Sequence, residues 1–318
     1  MPYDVFNGDA DGLCALQQLR LHNPLDDAHL VTGPKRETSL LRKIPIVEPT
    51  DIIVLDVSLR ANRSDAERLL QDGHRLTYID HHNSGPIPEH KNFISHIDTD
   101  PAVCTSAIVD QMLEGKYRDW AITAAFGDNL IETAKKLARD TNLRSSQVGK
   151  LQELGKLLNY NGYGRKAEDL WFYPEKLFRK MQGYQSPIDF YGAAPEFLAL
   201  REGYAEDLRR AEKAPTIFEN SNLRIYQLPD AAWSHRIVGA FSNLKARNHP
   251  EQAQVVMVEK PEMTQLVSVR SPKIHPVGAD VICLQFEGGG RPAAAGINDL
   301  PAAKFEDFQQ ALIQRFCV

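Results

Sequence analysis

The apolar run DIIVLDV at residues 51–57 constrains the fold more than any other segment of this chain. Its residues are almost continuously aliphatic, without the polar alternation of a half-exposed strand. That pattern is typical of a strand buried on both faces. A strand of this kind belongs in a parallel sheet that is covered by helices, so the run predicts an α/β domain.

The neighbouring segments alternate between strand and helix patterns. In the predicted helix at 64–73, Ser64 is a candidate N-cap, Glu67 completes a capping box and Gly73 ends the helix. The alternation predicts right-handed βαβ crossovers and a doubly wound parallel sheet, whose functional groups gather at the carboxyl ends of the strands. The predicted strands are 3–6, 29–32, 51–57 and 74–79, and the predicted helices are 13–21 and 64–73.

The chain has 318 residues, which exceeds the roughly 150 of a typical single domain and favours two. After about residue 102 the pattern becomes helical, and strand-like segments return at 223–228, 254–258 and 265–269. We therefore predict a first domain at 1–191, a helical linker at 192–215 and a smaller α/β domain at 216–318.

Charge and composition exclude several classes of protein. A formal net charge of −5 argues against a protein that coats long nucleic acid through a basic surface. Nothing approaches the ~20 apolar residues of a membrane span, and no signal peptide is evident. The four cysteines are scattered, which favours neither a disulfide framework nor a zinc site. These features predict a cytoplasmic protein that does not bind membranes.

Polar residues are concentrated where three predicted strands end. The segment Asn7-Gly8-Asp9-Ala10-Asp11-Gly12 follows the first strand, Asp56 ends the DIIVLD run, and Asp80-His81-His82 ends HRLTYID. In a parallel sheet these three ends lie at one edge. Asp128, in the segment AAFGDNL after a helical run, is a fourth candidate.

Each of these motifs taken alone has an ordinary structural explanation. An aspartate at a strand end is more often a helix cap or a turn residue than a ligand. The joint occurrence on successive strand ends favours metal binding, because clustered carboxylates repel one another and a divalent cation removes that cost. Carboxylates combined with imidazole suit Mn²⁺, and a shared carboxylate suits a site with two ions.

In order and spacing, the motifs NGDADG, DVS at Asp56, DHH at residues 80–82 and the later Asp128 resemble those of the DHH phosphoesterase superfamily. The segments VSVRS at 267–271 and GGGRPAAAG at 288–296 resemble the associated DHHA1 domain, with its RS and GGGH elements. The resemblance implies a two-domain phosphoesterase: a DHH domain with a parallel sheet and a smaller DHHA1-like α/β domain with a mixed sheet.

Carried over residue by residue, the resemblance implies a centre of two Mn²⁺ ions, for which Mg²⁺ or Co²⁺ could substitute. Asp9 would ligate one ion, and Asp56 would bridge the two. Asp80 would orient a histidine, and His82 would face the scissile phosphate as a catalytic donor. The remaining ligands, all of the second ion, would be Asp11, His81 and Asp128.

The sequence departs from the family pattern at two positions. Many members have a histidine ligand four residues before the first aspartate, where this chain has Val5; Asn7 could supply an amide oxygen or hold a water instead. The other departure is Arg291, in place of the histidine of GGGH, which suggests recognition of an additional phosphate. The predicted substrate-binding residues are Arg270, Ser271, Gly288, Gly289, Gly290 and Arg291.

The aromatic-rich stretch from Tyr160 to Tyr191 allows two interpretations. Most of its rings would pack beneath helices, while one or two could stack on a nucleobase. The segment NYNGYG at 159–164 is the candidate stacking loop.

Among the substrates of the superfamily, the acidic pI of about 6.1 disfavours processive cleavage of long or duplex DNA. The preferred hypothesis is a Mn²⁺-dependent phosphodiesterase that cleaves very short oligoribonucleotides, or 5′-phosphorylated dinucleotides such as pGpG, to nucleoside monophosphates. An exopolyphosphatase or a nucleotide phosphatase acting on phosphoadenosine phosphate is the alternative enzyme. Because Val5 replaces a ligand, a non-catalytic nucleotide-binding protein is the alternative of another class. A homodimer is left open.

Overall fold

A computed structural model describes residues 1–45 and 47–317 of the chain. The chain divides into two compact units, Met1–Glu202 and Gly203–Val318. The division falls inside a helix that lies within the predicted linker, and the separate roles predicted for the two domains stay predictions. No helix in the described part of the chain is both long enough and apolar enough to cross a bilayer.

The first unit is an α/β unit whose described residues form a five-stranded sheet with all strands parallel, in the order β2-β1-β3-β4-β5. Its elements are β1 (Tyr3–Phe6), α1 (Ala10–His22), β2 (His29–Val31), β3 (Asp51–Leu55), α2 (Leu59–Gln71), β4 (Arg75–Asp80), β5 (Phe93–Ile97), α3 (Thr105–Met112), α4 (Arg118–Gly127), α5 (Ile131–Arg139), α6 (Ser145–Gly162), α7 (Pro174–Met181) and α8 (Pro187–Ala193).

The helix α9 (Pro195–Ala211) contains the division between the units. The described strands of the second unit form a six-stranded mixed sheet, in the order β10-β11-β9-β8-β7-β6, in which β7 and β8 are parallel and the other pairs are antiparallel. Its elements are β6 (Thr216–Glu219), β7 (Leu223–Leu228), α10 (Ala232–Asn248), β8 (Ala253–Glu259), β9 (Thr264–Arg270), α11 (Ala279–Leu284), β10 (Gly289–Arg291), β11 (Ala294–Pro301) and α12 (Phe305–Phe316).

The predicted fold class is confirmed in both units. The DIIVLD run is β3, in the middle of the parallel sheet, where Ile52, Val54 and Leu55 are buried. Burial of these side chains between layers of helix explains why the run is apolar without alternation. The second sheet is mixed, as the resemblance implies.

Two local predictions are wrong. Helix α2 begins at Leu59 with Ser58 as its N-cap, so Ser64 and Glu67 lie inside the helix and form no capping box. A serine can cap a helix or lie within one, so Ser64 alone does not fix where the helix begins; Leu59, the first residue of α2, is buried. The segment 159–164 is also not a loop throughout, because α6 continues to Gly162. Strand β5 was not predicted, because its residues FISHI are only partly buried and lack a clear apolar pattern.

Glycines allow α4 and α6 to approach closely in the first unit. A Cβ atom on Gly155 of α6 would lie 2.0 Å from the carbonyl oxygen of Thr123 and 2.9 Å from the nitrogen of Gly127, both in α4. These are backbone atoms, so a side chain at Gly155 can be accommodated only if the helices separate. Gly149, earlier in α6, is exposed and would have nothing within 4 Å of an added Cβ.

Gly155→Ala should therefore lower the free energy of unfolding by about 1–3 kcal/mol, the usual cost of overpacking. Urea denaturation monitored by circular dichroism measures the change. Gly149→Ala is the matched control: it makes the same substitution in the same helix and should raise stability by about 0.5–1 kcal/mol. Equal effects of the two substitutions would contradict the proposed close packing of α4 on α6.

Candidate metal centre

The carboxyl ends of the parallel strands bring the predicted polar motifs together. Asp9 follows β1 and is the N-cap of α1, and its Oδ1 accepts hydrogen bonds from the backbone nitrogens of Asp11 (3.0 Å) and Gly12 (3.2 Å). Asp56 follows β3, and His81 and His82 follow β4. The edge predicted from the strand order is therefore the place where these side chains meet.

Asp56 lies at the centre of this cluster and has a backbone conformation that is uncommon outside glycine. Its φ is 58°, and its N–H donates to the carbonyl oxygen of Ile79 at 3.1 Å. Aspartate tolerates this left-handed region better than most residues, but the conformation persists only where the surroundings hold it. Its Oδ1 lies 3.4 Å from Nε2 of His81 and 3.9 Å from Nδ1 of His82.

Among the residues that the structure describes, two groups of side chains offer ligand atoms that lie close enough together to hold one cation. One consists of Asp11, His81 and Asp128, and the other of Asp56, His81 and His82. Nε2 of His81 is 4.0 Å from Oδ2 of Asp11 and 3.7 Å from Oδ2 of Asp128. The predicted ligands of the second ion are therefore brought together.

Asp11 is held by the first turn of α3. Its two carboxylate oxygens accept hydrogen bonds at 2.7 Å from the backbone nitrogens of Thr105 and Ser106. The hydroxyl of Ser106 donates to the carbonyl oxygen of Asp11 at 2.9 Å, and that of Thr105 donates to Asp56 at 3.3 Å. The beginning of a helix carries unpaired N–H groups and a partial positive charge, so it suits a buried carboxylate.

Burial and mutual repulsion destabilise the ionised form of the carboxylates in this cluster. Burial raises the pKa of Asp56 well above its ordinary value, and the neighbouring charges of Asp9, Asp11 and Asp128 raise it further. Burial also raises the pKa of Asp11, and the charge of Asp128 adds to the effect. A divalent cation on these oxygens would reverse both shifts.

Asp80 and His82 form a pair that fits the predicted role of His82. Nδ1 of His82 lies 2.7 Å from Oδ1 of the fully buried Asp80. Burial lowers the pKa of His82, but the hydrogen bond and charge of Asp80 more than offset this, so the net shift is upward. The His82 side chain is 43% exposed, which leaves its ring accessible to a ligand.

Two buried polar atoms at this edge fit a cation or a bound ligand. Oδ1 of Asn7 and Oδ2 of Asp80 are buried and have no hydrogen-bond partner among the described residues. Carboxylate, amide and imidazole donors together suit a divalent first-row metal. The residues present at the second predicted ion site therefore fit such a metal, with Asp11, Asp56, His81 and Asp128 as its candidate ligands.

Lys35 belongs to this cluster and was not predicted. Its Nζ lies 2.5 Å from Oδ2 of Asp9 and 3.1 Å from both Oδ1 of Asp128 and Oδ1 of Asn159. No motif identifies it, but Lys35 follows β2, whose carboxyl end lies beside that of β1. The signal that the sequence offers is the pair of basic residues, Lys35 and Arg36, that follows this strand.

In the second unit, the predicted substrate-binding residues lie in or directly beside β9 and β10, which are separated by β11 in one sheet. Arg291 of β10 pairs with Ala294 of β11, and Ala294 pairs with Arg270 of β9. Nε of Arg270 donates to Oδ1 of Asn243 at 2.7 Å. Arg291 is exposed.

Ser271 and two of the three glycines shape the β10–β11 hairpin. Ser271 is buried; its hydroxyl donates to the carbonyl oxygen of Pro292 at 2.8 Å and accepts from the nitrogen of Ala279 at 3.1 Å. A Cβ atom on Gly288 would lie 2.4 Å from the carbonyl oxygen of Gly296, and Gly290 has a φ of 145°. Gly289 has open space around it, so only the outer two glycines are required sterically.

Of the nine aromatic residues from 160 to 191, three are buried, five are partly buried and one is exposed. Tyr160, Phe178 and Phe190 are buried, whereas Trp171 is 44% exposed. Tyr163 lies beneath Lys35, whose Nζ is 5.4 Å from the ring centroid. The interpretation that most of these rings pack beneath helices is the one that their burial favours.

No protein-family model and no curated protein matches this chain. Solved structures do match its fold. The pGpG-specific phosphodiesterase PggH from Vibrio cholerae has a TM-score of 0.54 at 16% identity, over 99% of this chain and 98% of its own. An exopolyphosphatase-related protein from Bacteroides fragilis has a TM-score of 0.53 at 15% identity, over 98% and 90%. RecJ in complex with Mn²⁺ from Thermus thermophilus has a TM-score of 0.62 at 17% identity, over 99% of this chain and 51% of its own.

Metal binding at this edge should appear as stabilisation. At a Mn²⁺ concentration of 100 times Kd, one bound ion adds about 2.7 kcal/mol to the free energy of unfolding, or roughly 5–10 °C in Tm. Asp56→Asn should lose most of this rise. Without metal, the variant should melt at or above the wild-type temperature, because it removes a buried carboxyl group from among like charges.

Differential scanning fluorimetry with EDTA and with Mn²⁺ measures both effects. Asp26→Asn, at an exposed position, is the control and should retain the full rise in Tm. A wild-type rise of similar size in Asp56→Asn would remove Asp56 from the metal ligands.

Proposed function

We propose that this chain, which has the fold of the DHH/DHHA1 superfamily, is a divalent-metal-dependent phosphodiesterase acting on very short oligoribonucleotides or 5′-phosphorylated dinucleotides such as pGpG. PggH, the exopolyphosphatase-related protein and RecJ are all members of that superfamily, so the resemblance found in the motifs is confirmed for the fold. The products would be nucleoside monophosphates, and the preferred metal would be Mn²⁺.

The observation that carries the proposal is the convergence of Asp11, Asp56, His81 and Asp128 at one sheet edge. A divalent cation held there would supply Lewis-acid activation of a water and charge stabilisation at a phosphoryl group. The binding of two ions rather than one is what the resemblance implies. RecJ was solved with Mn²⁺, which supports a divalent cation as the cofactor.

Residues of this chain supply the remaining parts of the chemistry. His82, held by Asp80 through Nδ1, would donate from Nε2 to a non-bridging phosphate oxygen. The upward pKa shift of His82 favours the protonated ring that such a donor needs. Asp80 acts through His82 and would fix the orientation of its ring.

The second unit would recognise the substrate. Arg270 and Arg291 lie two strands apart in one sheet, with β11 between them, and guanidinium groups bind phosphate oxygens in a bidentate manner. Gly288 and Gly290 hold the hairpin that carries Arg291, and Gly289 leaves its backbone N–H open to an anion. Ser271 would act by fixing this hairpin, since both hydrogen bonds of its hydroxyl are made within the protein.

Two alternative functions are each supported by one observation. An exopolyphosphatase or a nucleotide phosphatase is supported by the fold shared with the exopolyphosphatase-related protein. A non-catalytic nucleotide-binding protein is supported by Val5, which takes the place of a ligand and is fully buried. Short single-stranded RNA or a dinucleotide is the proposed partner in solution, and a cytoplasmic location fits that role.

A substrate panel separates these proposals. Purified protein with Mn²⁺ is incubated with pGpG, pApA, di- to heptanucleotide RNA, cyclic dinucleotides, phosphoadenosine phosphate and polyphosphate. Chromatography follows mononucleotide, and a colorimetric assay follows inorganic phosphate. We expect mononucleotide from pGpG and the shortest RNAs, with Asp56→Asn reducing turnover by at least about 10³-fold.

Release of inorganic phosphate alone would favour the exopolyphosphatase or nucleotide phosphatase. Tight nucleotide binding without any turnover would favour the binding protein. Degradation of longer RNA with pGpG left intact would contradict the proposed specificity.

Arg291→Ala should raise KM for a 5′-phosphorylated dinucleotide by about 10–100-fold, because a charge-assisted phosphate contact is worth roughly 1.5–3 kcal/mol. KM for the same dinucleotide without the 5′-phosphate should change little. Steady-state kinetics on the two substrates provides the measurement. Arg209→Ala, an exposed arginine of the second unit, is the control. An equal effect on both substrates would exclude recognition of a terminal phosphate by Arg291.

A further inference from the structure

Both carboxylate oxygens of Asp9 are already engaged by groups of the protein. Oδ1 accepts from the backbone nitrogens at the beginning of α1, at 3.0 and 3.2 Å. Oδ2 lies 2.5 Å from Nζ of Lys35. Asp9 is the residue that would ligate the first of two ions, so the lysine ammonium lies where that ion would find its carboxylate.

Lys35 also contacts Asp128, which divides its two oxygens between two neighbours. Oδ1 of Asp128 accepts from Nζ of Lys35 at 3.1 Å, while Oδ2 faces Nε2 of His81 at 3.7 Å. A third oxygen, Oδ1 of Asn159, accepts from the same ammonium at 3.1 Å. Lys35 thus has three oxygen partners, which match the three donors of an ammonium group.

The loop that carries Lys35 is fixed on several sides. The backbone N–H of Lys35 donates to the carbonyl oxygen of Gly162 at 2.9 Å. The carbonyl oxygen of Thr32 accepts from the hydroxyl of Tyr173 at 2.8 Å and from Nζ of Lys43 at 3.1 Å. The Lys35 side chain is 24% exposed, so its position is set by packing as well as by charge.

The first ion site also lacks donors. Val5, where many members of the superfamily have a histidine ligand, is fully buried in the hydrophobic core with Val54 and Tyr78. Oδ1 of Asn7 is a neutral amide oxygen, which attracts a cation less than a carboxylate does. The group formed by Asp11, His81 and Asp128 is complete by comparison.

We propose that the ammonium of Lys35 permanently takes the place of one of the two cations, so that this chain binds a single divalent ion at Asp11, Asp56, His81 and Asp128. The inference rests on the metal site of the proposed function but not on its reaction. Lys35 would then be a positioning residue that holds Asp9 and Asp128 and supplies a fixed positive charge.

The contacts of Lys35 place its positive charge between two of the carboxylates: Nζ lies 2.5 Å from Oδ2 of Asp9 and 3.1 Å from Oδ1 of Asp128. A divalent ion on Asp9 would have to bind beside this charge, and the two cations would repel each other.

The experiment counts bound metal without substrate. Wild type, Lys35→Met and Lys43→Met are saturated with Mn²⁺, freed of excess metal by gel filtration, and analysed by inductively coupled plasma mass spectrometry. Electron paramagnetic resonance distinguishes an isolated Mn²⁺ from an exchange-coupled pair. We expect one isolated ion in wild type and two coupled ions in Lys35→Met, a twofold change.

Lys43→Met is the matched control, because Nζ of Lys43 contacts the loop that carries Lys35, at Thr32, yet pairs with Glu37 at 2.8 Å outside the cluster. It should bind one ion. Circular dichroism verifies that each variant is folded. If Lys35→Met does not fold, Lys35→Gln serves as a second neutral variant.

Two ions in wild type, or none, would overturn the proposal. A folded neutral variant that still binds one ion would overturn it as well, since the first site would then be weak for reasons other than Lys35. A chain that binds one ion but cleaves no phosphodiester would leave this inference standing while contradicting the proposed function.

Discussion

Repulsion among buried carboxylates at one edge of the parallel sheet is the constraint on which the rest of the first unit depends. Asp9, Asp11 and Asp56 are almost completely excluded from solvent, and Asp128 lies beside them. Such a group is stable only if fixed positive charge and N–H donors surround it. The N-terminal turns of α1 and α3 supply the donors, and Lys35 supplies a charge.

These surroundings leave the two halves of the centre unequal. The oxygens of Asp9 are taken up by α1 and Lys35, whereas Asp56 and His81 have few protein partners and lie near one another. A divalent cation would stabilise the second half most, because the pKa of Asp56 is raised there by burial and by its acidic neighbours. The local electrostatics of this chain, and not the resemblance alone, therefore favour the second half as the metal site.

The second unit meets a different requirement, because its proposed substrate-binding residues depend on the geometry of one mixed sheet. The mixed sheet places Arg270 and Arg291 two strands apart, and Ser271 ties the end of β9 to the β10–β11 hairpin. Gly288 and Gly290 are needed because backbone approaches too closely for a side chain, or takes a positive φ. The glycine run at 288–290, which could have been a flexible turn, instead leads into strand β10 of the sheet.

The sequence by itself determined the α/β class, most of the strands and the polar residues at their ends, because burial on two faces and strand-end chemistry leave strong local patterns. It did not determine the beginning of α2 or the existence of β5, which depend on which side chains are buried. Only the tertiary structure decided where the Lys35 side chain lies. Its partners Asp9, Asp128 and Asn159 are distant in sequence. No local pattern predicts which oxygen atoms the folded chain brings within 3.1 Å of one ammonium group.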